Sequence, residues 1–347
     1  MVRYGRKSMK NKKTLIIVLI ALGSLIALLG LIIAGIIGYY KLSVADYYAA
    51  SEQAFIIPGL QEGYVPQGMH YCEDEEVFLL SGYFSAGGAS PVYVVDAVTG
   101  ECLQKVVLQN KDGTAFEGHG CGITRNGDFV YVSGEHEPLN VYSLAEIMAA
   151  EYGASIRCLG NIPLSASEDD YITPSCLTIH DGVLTVGEFY REEVYPTLPS
   201  HHMTTKAGDV HYALAVDFAL DENAEFGIST VPLRAYSIPI QVQGMCFNGD
   251  RVYVSTSWSF ALSHILEYDL TRLEEQGTIE VIGTTVPLYA MDSASLIKDY
   301  RIAPMSEELA FVNGKLYVHC ESASDKYLLG RLIGGKWCYA TDLDKIK

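Results

Sequence analysis

The chain has 347 residues, of which 24 are Lys or Arg and 42 are Asp or Glu, and it is rich in Tyr (24 residues) and Gly (32 residues). The charges are separated along the sequence. Residues 1–41 contain seven basic and no acidic side chains, whereas residues 42–347 carry a net charge of −25. A body this acidic repels polyanions, which argues against a nucleic-acid-binding function.

An uncharged apolar segment of 27 residues runs from Thr14 to Tyr40. A helix of this length crosses a hydrocarbon layer of about 30 Å. A cleaved signal peptide is the alternative, but its apolar region is shorter, about 7 to 15 residues. We therefore predict an uncleaved signal anchor over residues 14–40 that holds the protein in the cell membrane as a single-pass protein. The six basic residues before it predict a cytoplasmic tail over residues 1–13 and an outward-facing body.

Behind the predicted anchor, residues 41–53 are interpreted as a stalk and residues 54–347 as one extracellular domain. Short helical patterns occur in ADYYAAS from Ala45 and SLAEIMAAEYG from Ser143, and AFIIPGL from Ala54 alternates like a β-strand. A closed ring of sheets needs one sheet that both chain ends share, since otherwise an unpaired strand edge remains. We predict that AFIIPGL is the strand that closes such a ring.

A strand–turn–strand cassette occurs five times in this domain, at intervals of roughly 50 to 70 residues. Four of the five turns contain Asn-Gly or Asp-Gly, the strongest short hairpin signal. Strand repeats of this period are typical of a β-propeller. We predict an all-β propeller with five visible blades, and the longer later intervals leave six blades as an alternative. Each cassette starts with a dyad, at Gln67, His119, Pro174, Gln243 and Glu307.

A third strand is predicted after each cassette. The matching segments are PVYVVD, LNVYSL, HYALAVD, HILEYDL and YLLGRLI. Two connections are long, from Tyr190 to Val210 and from Gly277 to Ser306. The first of them is expected to overhang the rim of the central channel.

All eight cysteines lie in the body, where an oxidising compartment permits disulfides. Cys121 and Cys176 occupy the repeat position that Met or Leu fills in the other copies, so they are expected to be small buried residues. Cys72 and Cys102 either form a local disulfide or stay reduced.

In a propeller, the start of each innermost strand and the end of its neighbour lie on one rim of the channel. This rim is predicted to bind a ligand through Gln67, His119, Gln243 and Glu188. His119 is flanked by glycines and is a candidate catalytic base, because imidazole titrates near neutral pH. A structural histidine is the alternative.

Three acidic residues, Glu135, Glu307 and Glu321, are predicted to converge on the same rim. Converging carboxylates repel one another unless a cation joins them. Calcium, which takes six to eight oxygen ligands, suits such a set. The alternative is that these acids lie on solvated loop ends or pair with basic side chains.

The segments VPQGMHY, EGHGCGI and PMSEELAF, the last followed by KLYVHCESASDKY, resemble secreted bacterial β-propeller proteins of the TolB-like and gluconolactonase/paraoxonase-like type. The resemblance spans about residues 55–327. In the gluconolactonase-like proteins a Glu at the start of an inner strand helps to hold a central calcium ion together with Asn and Asp ligands. Glu307 matches that Glu, whereas the Asn and Asp ligands have no recognisable counterpart.

Three functions follow as hypotheses. The first is a membrane-anchored extracellular propeller that binds a small molecule or a cell-surface protein at its acidic central rim. The second is a calcium-dependent hydrolase of the lactonase or phosphoesterase kind, with Glu135, Glu307 and Glu321 as ligands and His119 as base. The third is a structural scaffold for protein contacts.

Overall fold

The computed structural model describes residues 3–134 and 138–346. The chain divides into two compact units, one that ends at Ala45 and one that starts at Asp46. In the first unit, helix α1 covers Arg3–Ser43. Its segment Lys12–Ser43 is long and apolar enough to cross a membrane, as a single-pass anchor or a signal sequence would be.

The second unit is a β-propeller of five sheets, as the repeats predict. Each sheet starts with a predicted dyad strand near the axis, and the next strands follow outward. Three of the blades have four strands each. Blade 2 consists of Ile123–Asn126, Phe129–Val132, Leu139–Ser143 and Gly160–Ile162; blade 4 of Val242–Asn248, Arg251–Thr256, Ser263–Asp269 and Leu296–Ile302; blade 5 of Ser306–Val312, Lys315–Cys320, Trp337–Thr341 and Ser51–Ile56.

Two blades carry additional outer strands. Blade 1 consists of Tyr64–Cys72, Val77–Phe84, Pro91–Asp96, Cys102–Gln109 and Ala154–Arg157, and blade 3 of Cys176–His180, Val183–Gly187, Ala213–Leu220, Ile228–Ile238, Thr284–Ala290 and Glu274–Val281. The stretch that left room for a sixth blade therefore forms a hairpin at the edge of blade 3, where Thr284–Ala290 pairs in parallel with Ile228–Ile238.

The remaining elements are short. Two small hairpins pair Ser165–Ser167 with Asp170–Tyr171 and Met203–Thr204 with Val210–His211. The short helices are α2 (Ala45–Ala49), α3 (Leu144–Ala149) and α4 (Gly330–Ile333), and single 3-10 turns cover Leu60–Glu62, Pro199–His201, Leu270–Arg272, Glu321–Ala323 and Leu343–Lys345. Helices α2 and α3 lie where the two helical patterns predict them.

The two ends of the propeller share blade 5, as ring closure requires. Ser51–Ile56 pairs antiparallel with Trp337–Thr341, with Ser51 opposite Thr341. The closing strand therefore exists, but it begins at Ser51 and not at Ala54. The predicted third strand YLLGRLI is wrong, because that segment contains α4 and the third strand is Trp337–Thr341.

The core lies between neighbouring blades, because alternate side chains of a strand point to opposite faces of its sheet. In blade 2, Val130 and Val132 pack toward blade 1. Tyr131, between them, packs toward blade 3. The eight cysteines are free thiols, so Cys72 and Cys102 form no disulfide.

Near the axis, one buried carboxylate joins three blades. Glu308 is 1% exposed, and its carboxylate oxygens accept hydrogen bonds from the backbone N–H groups of Met245 (2.8 Å), Leu177 (3.4 Å) and Leu309 (3.3 Å). Burial raises the pKa of Glu308, although these three donors favour its ionised form. Gly244 makes the contact possible, since a Cβ atom there would lie 2.5 Å from the Glu308 side chain.

Candidate functional site

A cavity of about 860 Å³ opens at one end of the channel, where side chains from all five blades meet. Five of the predicted rim residues line it, namely Gln67, His119, Gln243, Glu307 and Glu321. The other lining residues include Tyr83, Cys121, Tyr171, Thr173, Phe189, Tyr195, Trp258, Lys326 and Tyr327.

An irregularity in the innermost strands brings dyad side chains to this cavity. In blade 5 the pairing register shifts between Ser306 and Leu309, and in blade 1 it shifts between Pro66 and Met69. A bulge of this kind breaks the strict alternation of side chains along a strand. As a result, Glu307 lines the cavity while its neighbour Glu308 joins the inner strands.

Glu307 is a deeply buried carboxyl group in the cavity wall. It is 2% exposed, and among the described residues its carboxyl oxygens have no hydrogen-bond partner. Burial raises its pKa well above the usual range, and the neighbouring Glu321 and Glu308 raise it further. Burial and the two acidic neighbours therefore favour the protonated form of Glu307.

Glu321 differs from Glu307 because it has donors. Its Oε2 atom accepts a hydrogen bond from the Tyr327 hydroxyl (2.8 Å) and one from Gln67 Nε2 (3.4 Å). Burial raises the pKa of Glu321 to about 7, against the lowering effect of Tyr327 and Lys326. At neutral pH this carboxyl group can take up or release a proton.

Lys326 supplies a positive charge next to both acids. Its Nζ atom donates a hydrogen bond to the Tyr83 hydroxyl and lies 4.9 Å and 5.2 Å from the ring centroids of Tyr83 and Tyr327. The Lys326 charge lowers the pKa of Glu307 and of Glu321. The ammonium group thus balances one ionised carboxylate in the cavity.

His119 packs edge-on against the Tyr83 ring, with the ring centroids 4.3 Å apart. Burial, together with the smaller effect of the Lys326 charge, lowers its pKa to about 4. The imidazole is therefore neutral at pH 7 and only a weak base. Burial also raises the pKa of Cys121 to about 12, so that thiol is not an activated nucleophile. The catalytic role of His119 stays a prediction.

An aromatic wall forms another side of the cavity, and the sequence interpretation named none of its rings as a ligand contact. Phe189, Tyr195 and Trp258 contact one another, with ring centroids 5.5 to 6.2 Å apart. The Arg191 guanidinium lies over the Trp258 ring at 5.0 Å. Phe189 and Tyr195 follow the second strand of blade 3, and Tyr195 lies in the long connection that was expected to overhang the rim. An FY-x₄-Y pattern after that strand is the available sequence signal.

Glu188 lies behind this wall and not in the cavity lining. It is fully buried, and its Oε2 atom lies 2.9 Å from Nδ1 of His201 and accepts a hydrogen bond from the backbone N–H of Leu214 (3.0 Å). Its Oε1 atom accepts from the backbone N–H of Thr173 (3.4 Å). The carboxylate therefore fastens the connection to blade 3, and its predicted contact with a ligand stays untested.

The predicted calcium site stays a prediction, because one of its three carboxylates lies outside the described residues. The described residues supply the other two, Glu307 and Glu321, where calcium takes six to eight oxygen ligands. Lys326 already provides positive charge beside both. Within the described residues no group of three or more His, Cys, Asp or Glu is arranged to hold a metal ion. Glu135, the third predicted ligand, lies outside the described residues.

No protein-family model matches the chain, and no curated protein matches it in sequence. Solved structures with a similar fold include the glutaminyl cyclase of Myxococcus xanthus, with 10% identity over 84% of this chain and 94% of that chain and a TM-score of 0.43. BamB of Moraxella catarrhalis is also similar, with 10% identity over 74% of this chain and 82% of that chain and a TM-score of 0.32. Such distant likenesses concern the β-propeller fold and carry no statement about activity.

Proposed function

We propose that this protein is a membrane-anchored, outward-facing β-propeller whose central cavity binds a small organic molecule. The observation that carries the proposal is Glu307, a 2%-exposed carboxyl group in the cavity wall without a hydrogen-bond partner among the described residues. Glu307 lines the cavity, so a bound ligand can supply the hydrogen-bond partner that no described residue provides.

The size and lining of the cavity support a ligand of this kind. Its volume of about 860 Å³ lies within the roughly 300–1,000 Å³ of small-molecule sites. Such sites combine apolar and aromatic walls with a few convergent polar groups. Here Phe189, Tyr195 and Trp258 form the apolar part, and Glu307 and Glu321 belong to the polar part.

The outward orientation rests on charge. The apolar segment Lys12–Ser43 of α1 follows a basic tail that carries no acidic residue, and basic residues mark the cytoplasmic end of a membrane span. Protease added to intact cells should therefore digest the propeller and spare the anchor. A propeller that is degraded only after the cells are opened would contradict the orientation.

A ligand screen tests the binding function. The full chain in detergent micelles is heated with members of a small-molecule library, and ligands are identified by the rise in melting temperature. Glu307→Leu should lose the rise in melting temperature, because it removes the Glu307 carboxyl group and replaces it with an apolar side chain of similar size. Glu222→Gln, a change at an exposed acid far from the cavity lining, is the matched control.

Two results would contradict the proposal. One is a library without any stabilising member, which would leave a scaffold as the surviving function. The other is a response that Glu307→Leu and Glu222→Gln retain equally, since the ligand would then bind elsewhere.

Hydrolysis is a second candidate function, and the Glu307 and Glu321 pair favours it. Two neighbouring carboxyl groups with different pKa values can divide the roles of acid and base. Burial and its acidic neighbours favour the protonated form of Glu307, and the pKa of Glu321 is about 7. Activity on a panel of lactones and phosphoesters should then disappear in Glu307→Gln and in Glu321→Gln. Activity that survives both substitutions would exclude this mechanism.

Calcium dependence of such a hydrolase requires Glu135 as an additional ligand. In that case, calcium should raise the melting temperature of the chelator-treated protein, and Glu307→Gln should abolish the increase. We expect calcium to raise the melting temperature no more than magnesium does, because only two described carboxyl groups are available and both lie beside Lys326. A calcium-specific increase that depends on Glu307 would establish the metal site.

A further inference from the structure

We propose that the ligand of the central cavity is a neutral molecule that carries an amide, or a similar paired hydrogen-bond donor and acceptor, at one end and a planar apolar group at the other. This inference rests on the proposed binding function. It is carried by the balance of charges around Glu307 and by the rings that line the cavity.

The charges in the cavity are already balanced without a ligand. The ionised form of Glu321 has hydrogen bonds from Tyr327 and Gln67 and the nearby charge of Lys326. Glu307 has two acidic neighbours, Glu321 and Glu308, and is almost completely buried. The Lys326 charge therefore compensates the ionised form of Glu321, and burial favours the protonated form of Glu307.

A protonated carboxyl group presents one O–H donor and one carbonyl acceptor on adjacent atoms. An amide presents the complementary pair, an acceptor carbonyl and a donor N–H. Two hydrogen bonds can then form side by side without any change of charge in the buried site. This pairing satisfies Glu307, which lacks a hydrogen-bond partner in the described part of the chain.

Charged ligands fit less well. An ammonium group would add a second positive charge next to Lys326 or force Glu307 to ionise between two other acids. The Tyr83 and Tyr327 rings, which could hold a cation, already hold the Lys326 ammonium group at 4.9 and 5.2 Å. A carboxylate ligand would meet the negative charge of Glu321. A neutral ligand avoids all three costs.

The aromatic wall determines which chemical group is favoured at the other end of the ligand. Phe189, Tyr195 and Trp258 line the same cavity as Glu307. Aromatic rings bury a large apolar area and favour offset or edge-to-face contacts with another planar group. A planar apolar group joined to an amide by a short linker therefore matches both parts of the cavity.

Several titratable or charged groups influence the pKa of Glu307, and they determine how ligand binding depends on pH. They are Glu321, Glu308, Lys326, Cys121, Tyr83 and Tyr327. The pKa of Cys121 is raised to about 12, and those of the two tyrosines are raised as well, whereas that of Glu321 is about 7. Glu321, whose pKa is about 7, and Glu307, whose pKa is raised, therefore account for the effect of pH on the binding of a non-titrating ligand.

Three matched probes test the inference: 3-phenylpropanamide, 3-phenylpropan-1-amine and 3-phenylpropanoate. They share the ring and linker and differ in the polar end. Binding to the full chain in micelles is measured by calorimetry at millimolar concentrations. We expect the amide to bind about tenfold more tightly than the amine or the carboxylate. Its affinity should fall as the pH rises and Glu307 loses the proton that it donates.

Two substitutions isolate the role of the Glu307 proton. Glu307→Gln keeps one donor and one acceptor, so it should bind the amide with an affinity that falls less as the pH rises, because only Glu321 still titrates. Glu307→Leu lacks both groups and should lose amide binding. Equal binding of the amide by both variants would overturn the pairing at Glu307.

The inference and the proposed binding function can fail separately. Tighter binding of the amine or the carboxylate than of the amide, or no binding of the amide, would overturn the neutral-ligand inference. The proposed binding function would still stand if library ligands bind and depend on Glu307. If no library member binds, the proposed function itself fails.

Discussion

Glu307 and Glu308 are consecutive residues whose carboxyl groups differ in their hydrogen bonding. Both are almost completely buried. Glu308 accepts hydrogen bonds from three backbone N–H groups in three blades, whereas Glu307 has no partner in the described part of the chain. The irregular strand start between Ser306 and Leu309 allows both side chains to turn inward. One carboxyl group stabilises the fold, and the other is available to a ligand.

The two residues should therefore respond differently to the same substitution. Glu308→Leu leaves three buried N–H groups without an acceptor and should lower the free energy of unfolding by about 3 kcal/mol or more. Glu307→Leu removes a carboxyl group that accepts no hydrogen bond from a described residue, so it should change the free energy of unfolding by less than about 1 kcal/mol. Chemical denaturation of the full chain in micelles measures both values. A similar loss in the two variants would show that Glu307 also has a structural partner.

Glu321 makes stability depend on pH. Burial raises its pKa from the usual 4.5 to about 7. Between these values the folded protein keeps a proton that the unfolded chain releases, so the free energy of unfolding falls as the pH rises. Glu321→Gln lacks this term, and its stability relative to the unsubstituted protein should increase by on the order of 2 kcal/mol between pH 4.5 and 7. A difference that stays constant over this range would contradict the raised pKa.

At the scale of elements, the long connection after the second strand of blade 3 is held by a buried pair. Glu188 and His201 are at most 1% exposed and 2.9 Å apart. Thr173 and Leu214 also donate backbone hydrogen bonds to the Glu188 carboxylate. Since Tyr195 lies in this connection, the pair holds part of the aromatic wall in place.

Glu188→Ala should loosen this connection selectively. It leaves three buried donors without an acceptor, which should cost about 3–5 kcal/mol and raise amide hydrogen exchange over residues 189–212. The matched control is His264→Gln in blade 4, which breaks an exposed pair with Asp299 at 2.6 Å and should cost less than 1 kcal/mol. Uniform exchange increases across all five blades in Glu188→Ala would contradict a local role.

The repeats predict the propeller because each copy carries its own dyad, turn and following strand. Asp181-Gly182 and Asn313-Gly314, for example, have positive φ at both residues, as the hairpin turns require. The third strand of blade 5 was misplaced because YLLGRLI is as apolar as a strand but follows the short turn Glu321–Ala323. Local pattern does not show where the chain re-enters the sheet.

The candidate site was partly predictable because the five copies of the cassette are equivalent. Equivalent positions in each copy meet at one rim, which brings Gln67, His119 and Gln243 together with Glu307 and Glu321. The aromatic wall and the Glu188–His201 pair depend on the path of a long connection that has no counterpart in the other copies. The sequence pattern therefore does not determine those contacts.

At the scale of the whole molecule, the ring is closed by hydrogen bonds between the two ends of the propeller. Ser51–Ile56 supplies the outer strand of blade 5, next to Trp337–Thr341. Phe55 is buried there in a cluster that also contains Phe78 and Leu80 of blade 1. The strand thus contributes to the core as well as to closure.

Two shortened chains test this closure. A chain that begins at Asp46 keeps the closing strand and should be soluble without detergent and unfold cooperatively. A chain that begins at Leu60 lacks the strand, exposes the edge of Trp337–Thr341 and should aggregate or unfold at a lower temperature. Thermal unfolding and size-exclusion chromatography distinguish them. Equal stability of the two chains would contradict closure by Ser51–Ile56.

The central claim is that a small molecule binds in the cavity where the five blades meet. Amide hydrogen exchange of the full chain, with and without the tightest library ligand, tests it most directly. We expect protection at the start of the inner strand of blade 5, residues 305–309, and over residues 321–327, and we expect Glu307→Leu to lose it. Protection confined to the outer strands of the blades would contradict the claim.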